Sequence, residues 1–139
     1  MCSSDLGTLL RESDYVTVHV PSTPETRHLV GEEELSTMRP SAFLVNSARG
    51  PVVDEDAVFR AVRDGRLAGA ALDVFEREPL PEGSPLHHVS DLNMILTPHI
   101  AGVTAEASQR AAEMAAECVV RVLSGKPPTS CVNPEVLQR

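Results

Sequence analysis

Three short stretches carry side chains that can do chemistry together: NSARG with Arg49, REPLP with Glu78, and TPHIAG with His99. An arginine just past an apolar strand offers a planar fork that matches a carboxylate; the plainer reading is a surface or capping arginine. A loop glutamate alone is usually solvated, and a loop histidine alone is usually structural. Paired, they form a proton relay. The carboxylate favours the imidazolium and fixes its tautomer, which suits a general acid delivering a proton to a carbonyl oxygen. Spacing alone does not bring Glu78 and His99 into contact. Asp73, in ALDVF, stands at a strand end, where capping is an equal reading. Glu76 is read as solvated, His19 and His28 as structural, and Cys118 as core. His87 and His88 are adjacent but lack a third ligand at metal spacing, so no metal is expected.

These residues need elements to position them. Gly7 to Glu12 reads as the end of a helix. YVTVHV, Tyr15 to Val20, is β-branched and stopped by Pro21, which predicts a strand. EEELSTM predicts a short helix from Glu32 to Met38. AFLVN, Ala42 to Asn46, is continuously apolar, as in a strand covered on both faces. Asp54 predicts a helix cap, with Glu55 and Asp56 at the positive end of the dipole and Gly65 past the helix end. Ala68–Val74 and Asn93–Thr97 predict two more strands. A last helix is expected from about Thr104 to Leu123, with Ala111, Met114, Ala115, Cys118, Val119 and Val122 on one face. Alternating strands and helices predict an α/β fold with a mostly parallel sheet. In such sheets chemistry gathers at the carboxyl ends of strands. There lie Val20 and Pro21, then Ser47, Ala48 and Arg49, then Asp73, and last His99.

Composition narrows the class. The 139 residues are 42% hydrophobic, enough for a packed core, and the formal net charge is -8. That charge argues against a nucleic-acid or anionic-membrane partner, since both want clustered Lys and Arg. No apolar run approaches the ~20 residues of a membrane span. The three cysteines show no CxxC spacing, so a reducing cytoplasm is the expected location.

In combination, HVPSTPETRHLV, NSARGPVVDEDAV, LAGAALDVFEREPLP and NMILTPHIAG resemble the C-terminal half of the D-isomer-specific 2-hydroxyacid dehydrogenases. The resemblance implies the second half of a Rossmann-type doubly wound parallel sheet. It also implies hydride transfer between NAD or NADP and a small 2-oxo or 2-hydroxy acid. Arg49 would hold the substrate carboxylate, His99 would donate the proton, and Glu78 would orient His99. Asp73 would face the nicotinamide end of the cofactor. Val20, Pro21, Ser47, Ala48 and Gly102 would approach cofactor or substrate, mainly through backbone groups. Glutamate at position 78 favours hydroxyacid chemistry over the glutamine-histidine arrangement of the related formate-oxidising enzymes. The loop before His99 looks most like that of glyoxylate/hydroxypyruvate reductases, with phosphoglycerate dehydrogenase next. A homodimer is expected for the full-length protein.

The resemblance also carries an expectation of truncation. None of the eight glycines is separated from another by a single residue, so the dinucleotide fingerprint G-x-G-x-x-G is not in this chain. The opening MCSSDL is neither a signal peptide nor a transit peptide. GTG TGC TCT TCC GAT CTN, a sequencing-adapter end, translates to it when GTG starts translation. Residues 1–6 are therefore expected to be an assembly scar. Residues 7–102 would be the C-terminal half of the cofactor domain, 103–124 a helix returning to an absent substrate domain, and 125–139 a tail. Such a fragment is expected to be inactive and poorly stable by itself. Two other readings stand beside the enzyme: a nicotinamide-sensing corepressor of the same fold, and a half-domain that works only in association with other subunits.

Overall fold

A computed structural model describes residues 6–138; Met1–Asp5, and with them Cys2 and most of the expected scar, lie outside the described residues. Leu6 starts the first helix. The chain divides into two compact units between Ala101 and Gly102.

The first unit is built on four parallel strands in sequential order: β1 Tyr15–Val18, β2 Phe43–Asn46, β3 Gly69–Leu72 and β4 Met94–Leu96. Tyr15 aligns with Phe43, Phe43 with Gly69, and Leu72 with Leu96. Helices α1 Leu6–Glu12, α2 Glu32–Thr37 and α3 Glu55–Arg63 connect the first three strands or lead into them. Asp54 caps α3 as expected, accepting the Ala57 N–H at 2.9 Å. Beyond that helix Gly65 takes φ +70°, which glycine adopts at no steric cost.

The strands are shorter than their apolar runs. β1 stops at Val18 rather than Val20, because its partner β2 ends at Asn46 opposite it. β3 stops at Leu72, so Asp73 lies just past the strand instead of ending it. The expectation that β2 is covered on both faces is corrected too. Leu44 and Asn46 are buried, whereas Phe43 and Val45 are only half-buried. One sheet face, carrying Val16, Val18, Leu44 and Ala70, packs into a core with Leu10, Leu35, Val58 and Ala61. On the other face Tyr15 is 72% and Ile95 66% exposed, and Tyr15 stacks on Phe43 with ring centroids 5.3 Å apart. A buried leucine or valine of the covered face contributes ~1.5–3 kcal/mol, so the packed side supplies the stability.

The second unit is dominated by α4, Ala105–Leu123. Thr104 caps it, accepting the Ala107 N–H at 3.0 Å. None of its residues is buried. Cys118, expected in the core, is half-buried instead, with its thiol on the Thr129 hydroxyl at 3.0 Å. That bond, together with backbone bonds from Thr129 and Ser130, holds the thiol below its ordinary pKa. Among the described residues no helix is long and apolar enough to cross a membrane.

Candidate active site

The turn after β2 is shaped by a polar residue at the end of an apolar strand. Asn46 is 1% exposed. Its Nδ2 donates to the Arg49 carbonyl at 3.1 Å and its Oδ1 accepts the Ala48 N–H at 3.1 Å. Both halves of the amide are thereby used, and the backbone of Ser47, Ala48 and Arg49 is fixed. The Arg49 side chain is exposed; its Nη1 donates to the Ala48 carbonyl at 2.6 Å. Among the described residues its other guanidinium N–H groups make no hydrogen bond and are available to an anion. Val20, Pro21, Ala48 and Arg49 line one cavity of about 430 Å³, together with His19 and Ser22. The sequence predicts His19 as a structural strand residue. It lies one residue past β1, is exposed, and shares a 3.0 Å hydrogen bond with Thr17.

The loops after β3 and β4 bring the other pair together. His99 Nδ1 lies 2.8 Å from Glu78 Oε2. An ionised carboxylate only accepts, so Nδ1 carries a proton and Nε2 remains for a reacting group. The other oxygen of Glu78 accepts the Phe75 N–H at 3.0 Å. The bond from His99 and then that from Phe75 outweigh desolvation and hold the Glu78 carboxyl below the usual glutamate range. A second cavity, of about 270 Å³, is lined by Glu78, His99 and the apolar Phe75, Pro79, Leu80 and Pro98.

Asp73 organises the His99 loop. Its Oδ1 accepts the Thr97 hydroxyl and the Ile100 N–H, and its Oδ2 accepts the Ala101 N–H at 2.9 Å. His99 sits between these donors at φ +57°, a left-handed conformation that histidine visits more readily than most residues but still at a cost. Burial pushes the Asp73 carboxyl up, yet the three hydrogen bonds and nearby His99 more than offset this and hold it low. Asp73 also lines, with Ser47 and Thr97, a third cavity of about 280 Å³. Gly102 is exposed and opens the second unit.

Because the folded pKa of Asp73 is depressed, its stabilisation is present above the ordinary aspartate range and is lost as pH falls through the lowered value. Asp73→Asn places an amide NH2 opposite at least one of these donors. It is expected to cost about 1–3 kcal/mol, read as a lower urea midpoint for the chain.

Sequence reasoning missed the polar contacts of Asn46, Thr97 and Glu76. Asn46 had one visible signal, a lone amide closing the apolar run AFLVN. Glu76, read as solvated, accepts from Arg27 at 2.8 Å and from His28 at 2.7 Å.

Comparisons with known proteins place the chain in a family. The chain is 53% identical to a glyoxylate reductase of Thermofilum pendens over 97% of its own length and 39% of that protein. It is 46% identical to a glyoxylate/hydroxypyruvate reductase B of Enterobacter agglomerans, over 96% of the chain and 41% of that protein. Among solved structures, a D-isomer specific 2-hydroxyacid dehydrogenase of Xanthobacter autotrophicus Py2, in complex with NADPH and MES, superposes with a TM-score of 0.79 at 42% identity, covering 96% of this chain and 54% of that one. The chain thus spans about 40% of the length of the curated relatives it matches. Residues 2–101 match the NAD binding domain of the D-isomer specific 2-hydroxyacid dehydrogenases, and the chain belongs to that family.

Proposed function

We propose that this chain is part of an NAD- or NADP-dependent reductase of small 2-oxo acids, of the glyoxylate or hydroxypyruvate type. The observation that carries the reading is the Glu78–His99 pair, which occupies Nδ1 and leaves Nε2 for a reacting group. In this reading the nicotinamide supplies the hydride, and the chain supplies position and charge. Arg49 grips the substrate carboxylate with its fork. His99 protonates the carbonyl oxygen as hydride arrives, and takes the proton back in the reverse direction. Glu78 holds the His99 tautomer. Val20, Pro21, Ser47, Ala48 and Gly102 approach cofactor or substrate through backbone groups, while Asp73 acts at the nicotinamide end by holding the loop of His99. The cavity beside Arg49 and the cavity beside Asp73 give a flat cofactor end room at the carboxyl edge of the sheet. The family resemblance and the cysteine usage support a homodimer in the cytoplasm as the working form.

The test is a chimera in which this chain replaces the matching part of the Thermofilum pendens glyoxylate reductase. Oxidation of NADH or NADPH by the chimera, dependent on glyoxylate or hydroxypyruvate, is the expected result. A folded chimera that binds NADPH and turns over neither acid overturns the reading.

A further inference from the structure

We propose that Glu76 is a positioning residue for the Glu78–His99 pair, the centre of a brace that ties the loop after β3 to three other segments. For its catalytic meaning the inference rests on the function proposed above. Glu76 Oε1 takes Arg27 Nη2 at 2.8 Å and His28 Nε2 at 2.7 Å, both from the loop after β1. The Glu76 N–H donates to Glu55 Oε2, in the first turn of α3, at 2.9 Å. One residue earlier, Phe75 donates its N–H to Glu78. On the opposite side Gly50, the neighbour of Arg49, lies so close that a Cβ there would come within 1.8 Å of the Phe75 carbonyl oxygen. The brace is anchored in turn: His28 adopts φ +50° and donates its N–H to the Pro51 carbonyl at 2.8 Å.

The brace therefore joins the segment of the substrate-gripping arginine to the segment of the proton relay. Its pairs are half open to water, so each contributes little to stability. Their effect is geometric. Catalytic groups must be held to within a fraction of an ångström, and a loop anchored at one point does not achieve that. With Phe75 and Glu76 pinned on both sides, Glu78 presents one oxygen to Phe75 and the other to His99.

The charged and titratable groups facing Glu76 are Arg27, His28 and Glu55; those facing Glu78 are His99 and, further off, Asp73. Burial, then the charges of Glu76, Asp56 and Asp54, push the Glu55 carboxyl up, against the lowering bond from the Glu76 N–H.

The experiment follows the Glu78 carboxyl carbon and the Phe75 amide by NMR against pH, in the isotope-labelled 139-residue chain. Glu76→Gln and His28→Asn are compared with the unaltered sequence. Asparagine tolerates the left-handed backbone at position 28. Glutamine removes the charge that holds Arg27 and His28 to Oε1, which weakens the brace and loosens the Phe75–Glu78 bond, so the Glu78 midpoint rises in Glu76→Gln. Removing a neighbouring negative charge through space alone moves it the opposite way. In both variants the response of the Phe75 amide to Glu78 ionisation is lost. A fall or no change in the Glu78 midpoint of Glu76→Gln overturns the proposal. So does an intact Phe75 response in His28→Asn, which decides the matter if Glu76→Gln does not fold. No cofactor or substrate enters this measurement, so its failure leaves the reductase reading standing, and failure of that reading leaves the brace standing.

Discussion

His99→Gln in the chimeric reductase is expected to slow 2-oxo acid reduction by ~10²–10⁴-fold, the usual contribution of a positioned general acid. The loss falls on kcat, because His99 stabilises charge on an oxygen that becomes negative only as hydride arrives. NADPH binding stays near that of the unaltered chimera. Steady-state kinetics with glyoxylate and a separate cofactor titration make the distinction. An unchanged kcat removes His99 from proton transfer. Glu78 sets how far the relay survives into acid. Its carboxyl titrates below the ordinary glutamate range, so the carboxylate that accepts the His99 Nδ1 proton is present above that lowered value and is lost as pH falls through it. Losing the oriented pair by Glu78→Gln therefore shares the direction of the His99 effect.

The second large effect belongs to Arg49. Arg49→Gln leaves the substrate carboxylate unpaired. It is expected to cost roughly 2–5 kcal/mol of transition-state binding, about 30- to 4,000-fold in kcat/KM. Arg49→Lys keeps the charge and loses the fork, so it recovers only part of the loss. The two substitutions are compared on glyoxylate and hydroxypyruvate at fixed cofactor. A lysine variant as active as arginine shows that a point charge suffices and that the fork has no bidentate role. The backbone around Arg49 is held independently by Asn46, so these changes act on the side chain and leave the turn in place.

Much of this site was legible in the sequence because its determinants are local. The four strands follow from short apolar runs that stop at Pro21, Ser47, Asp73 and Pro98 or just before them. The α3 cap follows from Asp54, whose bond to Ala57 spans three residues. Arg49 and His99 stand out by type and by place, each shortly past a strand, and Glu78 by its type in the loop between β3 and β4. Their types suggest a carboxylate fork and a proton relay, while the contact between Glu78 and His99 is seen only in the fold.

Tertiary structure decided whatever depends on partners distant in sequence. Glu78 meets His99 across 21 residues, through a loop whose left-handed histidine is held by Asp73. Glu76 looked like any solvated glutamate; its partner His28 is 48 residues away, and nothing near it in the chain signals the contact. The extent of β1 and the one-sided burial of β2 were likewise settled by neighbouring strands and helices, because a β-branched run extends only where a partner strand accepts its hydrogen bonds. Residue type and period determine which elements form and which side chains have useful chemistry. Only the packing of loops from different strands determines which of those side chains touch, because hydrogen bonds and ion pairs form over a few ångströms of space whatever the distance along the chain.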